Sequence, residues 1–149
     1  MAIPVPLLPK PVRWLGVAGL AGFIFYTSIV TVPPETAIDS TRPSFAEIAQ
    51  WRHFLAYGTL AYALAYATAE WDRKRWVQPA VIVGVVALYG ASIEVGQYFI
   101  PHRHFDVNDI LANTIGASLV LGWYVVRPYV EVVSVRELLS KWGSSGSAS

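Results

Sequence analysis

The sequence has no cysteine and very little charge. Without thiols there can be no disulfide, no zinc–thiolate site and no cysteine nucleophile. Charged side chains are 14% of the 149 residues and hydrophobic ones 54%, where an ordinary soluble domain carries about a quarter charged. The mean hydropathy is positive. A formal net charge of +1 supplies no basic surface for nucleic acid. What is present in excess is apolar residues, which point to a membrane protein of one compact domain.

A bilayer core about 30 Å thick needs roughly 20 mostly apolar helical residues to cross it. Four stretches approach this: 14–32, 54–69, 76–93 and 110–126. The second is short, but Ser44 followed by Glu47 is a capping-box pattern, which predicts a helix beginning near Phe45. Pro33 and Pro34, then Pro101, then Pro128 stand where the first, third and fourth stretches should stop, because proline cannot continue the hydrogen-bond ladder. The expected fold is all-α: a polytopic membrane protein of four transmembrane helices in a compact bundle.

Eight of the eleven Lys and Arg residues fall on one side of this layout, including Lys10, Arg13, Arg73, Lys74, Arg75, Arg127, Arg136 and Lys141. Arg42, Arg52 and Arg103 fall on the other. The positive-inside rule then places both termini in the cytoplasm of a multi-pass protein of the cell membrane. Trp14, Trp71, Trp76 and Trp123 lie near the inner interface in this layout, where amphipathic rings are favoured. The first stretch reads as an uncleaved anchor: its apolar run is long for a signal peptide and no A-x-A site follows. The expected divisions are a cytoplasmic segment 1–13, a membrane domain 14–126 and a cytoplasmic tail 127–149. Within that tail RELLSKW suits a short surface helix, and GSSGSAS a disordered end.

Polar groups are concentrated in IEVGQYFIPHRHFDVNDILANTIG, residues 93–116. With the termini inside, the second and fourth stretches start at the outer face and the third ends there. His53, Glu94, Gln97, Arg103, Asp106, Asp109 and Asn113 therefore arrive at one depth. Gly90, Glu94 and Gln97 share a helix face, as do Asp106, Asp109, Asn113 and Gly116. His53 and Tyr57 are one turn apart. The short turn makes the third and fourth helices antiparallel neighbours, and glycines allow close approach. Glu94 lies roughly 10 Å along a helix from Pro101. A carboxylate facing lipid there costs on the order of 2–3 kcal/mol, so it should face protein. Arg103 is the first partner expected and His53 the second; a protonated Glu94 is the alternative.

These residues resemble the signature of VanZ-like membrane proteins. The matching positions are Glu94, Gln97, Pro101, Arg103, Asp109, Asn113 and Gly116. An upstream block, Arg52, His53, Phe54 and Tyr57, matches as well. Arg52 stands where lysine is usual, and the turn reads Pro-His-Arg where many members have Pro-Gly-Arg. The resemblance spans roughly residues 14–126. It implies an association with low-level resistance to the glycopeptide teicoplanin, carried by analogy alone.

Two classes of function are open. In one, His53, Glu94 and Asp109 are acid–base groups acting on a lipid-linked or cell-envelope substrate. Arg52, Tyr57, Gln97, Arg103, Asp106 and Asn113 then hold the ligand, and Arg103 grips a phosphate or carboxylate. In the other, the polar cluster locks the helices together in a non-catalytic structural or accessory protein. One aspartate, Asp106, also suits a helix cap. A metal held by the trio with His102 or His104 is the weaker reading, because H-x-H in a turn is a poor zinc spacing, so no metal is assigned. A proton pathway is disfavoured, since the inner halves of the helices carry no relay. The expected partners are membrane lipids and a lipid-linked or envelope ligand, with no nucleic acid, and the cofactor is left open.

Overall fold

The computed structural model describes residues 3–31, 45–71, 74, 76–101 and 106–138, without the side chains of residues 45–50. Strand β1 (Ile3–Leu7) leads into helix α1 (Lys10–Phe25), which ends in a π-helical turn (Tyr26–Val30). Helices α2 (Phe45–Ala67) and α3 (Val77–Tyr98) follow. Helices α4 (Val107–Ser118) and α5 (Val120–Val126) form one rod interrupted at Leu119, and a 3-10 turn (Arg127–Tyr129) enters strand β2 (Val130–Ser134).

The helix expected near Phe45 is present. The Ser44–Glu47 capping pair that predicted it lies outside the described residues and side chains, as do Pro33 and Pro34. Helix α3 stops three residues before Pro101, and Pro128 sits in the turn that closes α5. Among the described residues, three helical segments are long and apolar enough to cross a membrane: Lys10–Val30, Val77–Tyr98 and Val107–Tyr129. Helix α2 is long but less apolar, because its first half carries Gln50, Arg52 and His53 and its second half alternates tyrosine with alanine.

Packing explains that composition. Helix α2 touches α1, α3, α4 and α5, so much of its surface meets protein rather than solvent or lipid. Tyr57, Leu60, Ala61, Ala65 and Ala67 on α2 are buried, and they join Val17, Ile24, Ile82, Val86, Ala117 and Val120 in one core. Specific contacts give the directions. His53 reaches Asn113, and Tyr62 donates from its hydroxyl to the Leu119 carbonyl, so α2 and α4 run parallel. Tyr89 donates to the Ala21 carbonyl and Gln97 to that of Ser28, so α1 and α3 run parallel. Gln78 near the start of α3 meets Thr68 just past the end of α2, so these two pairs run in opposite directions.

The closest backbone approach is between α2 and α4. A Cβ on Gly116 would overlap the Phe54 carbonyl, and one on Gly58 would sit 3.2 Å from the Gly116 oxygen. Gly90 on α3 is also crowded, with Asn113 and Tyr57 against it. The expected close approach of the third and fourth helices thus exists, but the tighter one involves the second. The break at Leu119 belongs to the same region: the Leu119 N–H bonds to the Gly116 carbonyl at 3.1 Å, the tighter i→i−3 pattern, and Tyr62 satisfies the Leu119 carbonyl.

The fold is mostly helical, as expected, with one small sheet added. β1 and β2 form a two-stranded parallel sheet, with Ile3 opposite Val130 and Leu7 opposite Ser134. Segments expected as plain tails thus contain paired strands. Two prolines, Pro4 and Pro6, had masked β1 as a strand. Proline cannot donate to a ladder and is tolerated where its nitrogen faces away from the partner strand. The Pro6 carbonyl accepts from the Tyr66 hydroxyl, whose oxygen in turn accepts from the Leu8 N–H, so α2 caps that other edge. The chain is helical again at 135–138; the rest of RELLSKW and the GSSGSAS end lie outside the described residues.

Candidate functional site

The site is built where the first half of α2, the last turns of α3 and the first turns of α4 meet. His53 comes from α2, Glu94 from α3, and Asp109 and Asn113 from α4. Each of His53, Glu94 and Asp109 offers a nitrogen or oxygen atom within 4.8 Å of those of the other two. His53 Nε2 lies 3.6 Å from Asp109 Oδ2, with the two side chains 17% and 19% exposed. Glu94 is fully buried, as is Asn113.

The local reasons are helical. Gly90, Glu94 and Gln97 all lie on the buried face of α3, as their four- and three-residue spacing requires. Asn113 and Gly116 lie on the buried face of α4. Asp106 is the N-cap of α4 and accepts from the Asn108 N–H at 2.7 Å, with Asp109 one turn on. Asn113 Oδ1 is 3.1 Å from His53 Nδ1. An amide oxygen only accepts, so with Oδ1 facing the ring Nδ1 donates to it, and Nε2 is the nitrogen turned toward Asp109. Tyr57 stacks parallel to His53, with ring centroids 6.2 Å apart. Its hydroxyl is buried and has no hydrogen-bond partner among the described residues.

The remaining predicted residues divide. Gln97 is buried but spends its amide on the Ser28 carbonyl in the π-helical turn, 3.0 Å away, so it ties α3 to α1. Asp106 is exposed and serves as a cap. Arg52 is exposed. Arg103, the expected partner of Glu94, lies outside the described residues, as do His102 and His104.

Sequence reasoning missed a second cluster, at the opposite end of α2. The last carbonyls of a helix have no partner within it, and here three other elements supply donors. Arg13, its side chain only 1% exposed, donates to the Tyr66 and Ala67 carbonyls and to Glu70 Oε2 at 2.7 Å. Gln78 donates to the Thr68 carbonyl and Arg127 to that of Ala69. The Arg13 guanidinium, with Lys10 adding to it, holds the Glu70 carboxyl below its ordinary range. Arg13 and Arg127 had counted only as topological charges. The available signal was a cation near each of two chain segments bound for the same end as the C-terminus of α2.

Apolar side chains cover the outside: Leu15 and Phe23 on α1, Val81, Val85 and Leu88 on α3, and Leu111 and Ile115 on α4 are exposed. Apolar faces turned outward around buried Glu94, Gln97, Asn113 and Arg13 are the construction of a helical membrane protein. The chain belongs to the VanZ/LLP1 family, whose family model matches residues 14–128. Neither the curated proteins nor the solved structures include a significant match.

Proposed function

We propose that this VanZ-like protein crosses the cell membrane four times and uses the His53–Glu94–Asp109 cluster, at the outer face, to bind or act on a lipid-linked or cell-envelope substrate. The observation that carries the reading is the meeting of these three ionisable side chains, from three helices, within 4.8 Å. Intramembrane ionisable groups are functional candidates by default. Four crossings are supported by the alternating helix directions and by the pairing of β1 with β2, which requires an even number. The outward orientation is supported by the excess of Lys and Arg at the other end.

The chemistry suits proton transfer. Asn113 orients the His53 ring, and Nε2 is left to accept a proton from a substrate hydroxyl or a water. Asp109 stabilises the imidazolium that results. Access is through His53 and Asp109, which are each partly exposed, while Glu94 forms the floor. A second reading, a structural lock, is favoured by the complete burial of Glu94 and Asn113. Glu94→Gln separates the two. A functional site loses its activity with thermal stability intact, whereas a lock loses stability and expression.

The assay follows from the family's link to teicoplanin. The full chain, expressed in a glycopeptide-sensitive bacterium, is expected to lower teicoplanin susceptibility. His53→Ala and Asp109→Asn are expected to abolish that effect at equal membrane abundance. Undiminished protection by both variants would overturn the assignment of the site.

A further inference from the structure

The same corner of the molecule has the donor set of a metal centre. His53 Nε2, a Glu94 oxygen and an Asp109 oxygen come from three separate helices and lie within 4.8 Å of one another. Donor atoms on one divalent ion, at bond lengths of about 2.0–2.2 Å, stand about 3–3.5 Å apart. The His53 Nε2 to Asp109 Oδ2 separation of 3.6 Å is nearly there. It is longer than a hydrogen bond and close to the spacing of two ligands on one cation.

Two further features point to a bound ligand. A metal-binding histidine almost always donates its other ring N–H to an oxygen, which fixes ring and tautomer. Asn113 Oδ1 occupies that place, 3.1 Å from Nδ1. Independently, the Tyr57 hydroxyl is buried without a hydrogen-bond partner among the described residues. Its ring is stacked on that of His53. A hydroxyl placed there is positioned to hydrogen-bond a water or substrate oxygen on an ion held by the three side chains. The Asn113 Nδ2 atom is also buried without a hydrogen-bond partner among the described residues, beside Gly90, where any larger residue would meet it.

We infer that His53, Glu94 and Asp109 bind one divalent transition-metal ion, with Asn113 orienting the histidine and Tyr57 facing the ion's open position. One imidazole with two carboxylates suits zinc or manganese, being too nitrogen-rich for a magnesium or calcium site and too hard for copper(I). Three protein ligands leave room for a water or a phosphate oxygen. The H-x-H turn that made a metal unattractive in the sequence is not needed for this set. The inference stands on the geometry of the side chains and not on what the site acts upon. With an ion bound, Nε2 is a ligand, and the proton-accepting role passes to the metal-bound water.

The test uses the full chain in detergent, stripped with chelator and then given Zn²⁺ or Mn²⁺ alone. Isothermal titration and elemental analysis after gel filtration are expected to show one equivalent of one of these ions retained per chain. His53→Ala and Asp109→Asn are expected to weaken binding at least about tenfold, and Tyr57→Phe by less. Asp106→Asn, which touches only the helix cap, is expected to leave it unchanged. If the wild-type chain retains neither ion, or if His53→Ala and Asp109→Asn bind as tightly as wild type, the inference is overturned. The wild-type measurement decides even where a variant fails to fold. A negative result leaves the acid–base reading intact, because His53 Nε2 is then free to act as base. Loss of teicoplanin protection with metal binding preserved would fault the proposed substrate and not the ion.

Discussion

Arg13 illustrates how single side chains hold this protein together. Its guanidinium is buried, and its two terminal nitrogens meet three oxygens: two helix carbonyls and one carboxylate. Arg13→Met would keep much of the apolar stem while leaving the Tyr66 and Ala67 carbonyls bare. Charge-assisted bonds of this kind are worth about 1.5–3 kcal/mol, so destabilisation on the order of 2–3 kcal/mol is expected. Reversible unfolding in mixed micelles would measure it. Glu70, the partner, is half exposed and adds a pH dependence. Its carboxyl titrates below the ordinary 4.5 in the folded chain, so between those values the unfolded chain binds more protons. The stabilisation is fully present above pH 4.5 and fades as pH falls through the folded value. Melting curves of wild type and Glu70→Gln are expected to differ by a constant amount near neutral pH and to converge in acid. None of this network was legible in the sequence, because a cation beside an apolar run reads equally well as a topology signal. The His53–Asp109–Asn113 grouping was legible, since helix periodicity and the refusal of lipid to solvate charge leave few other places for those residues.

Among elements, α2 is the organiser. His53 in its first half reaches the candidate site, Tyr62 and Tyr66 in its second half bond to the Leu119 and Pro6 carbonyls, and its last carbonyls are held by three different partners. Gly116 sets how closely α4 can lie against it. Gly116→Ala would force a methyl into the Phe54 carbonyl, at a cost on the order of 2 kcal/mol from overpacking, with His53 and Asn113 pushed apart as a side effect. Gly84→Ala on α3 meets nothing within 4 Å and is expected to be neutral or stabilising by up to about 1 kcal/mol through helix propensity. Comparing the two variants by thermal unfolding isolates the close approach from the mere loss of glycine. Element boundaries were read well where proline marks them, as at Tyr98 and Val126. The interruption at Leu119 had no such mark. It arises from packing, where Tyr62 captures a carbonyl.

At the scale of the whole molecule, helices of opposite direction alternate and polar groups gather at two ends, one under each face. The proposed substrate and metal chemistry belongs to the end with His53; the end with Arg13, Gln78 and Arg127 is architectural. The β1–β2 sheet was not legible, because two prolines in IPVPL argue against a strand until a partner on one side and Tyr66 on the other are known. Removing residues 130–149 is expected to leave β1 unpaired. Limited proteolysis should then cut near Ile3–Leu7 far faster than in the full chain, while the rest of the molecule stays protected. Equal cutting of both forms would mean that the sheet contributes little to holding the N-terminal segment.

That sheet also imposes an order on biogenesis. β1 precedes all the described helices α1–α5 and β2 follows them, so the ladder cannot close until the helices between have been made. Before then Tyr66 on α2 is the hydrogen-bond partner that the β1 segment has among the described residues. Zipping of the two strands is thus a late event, and a chain that stops midway carries an open strand edge.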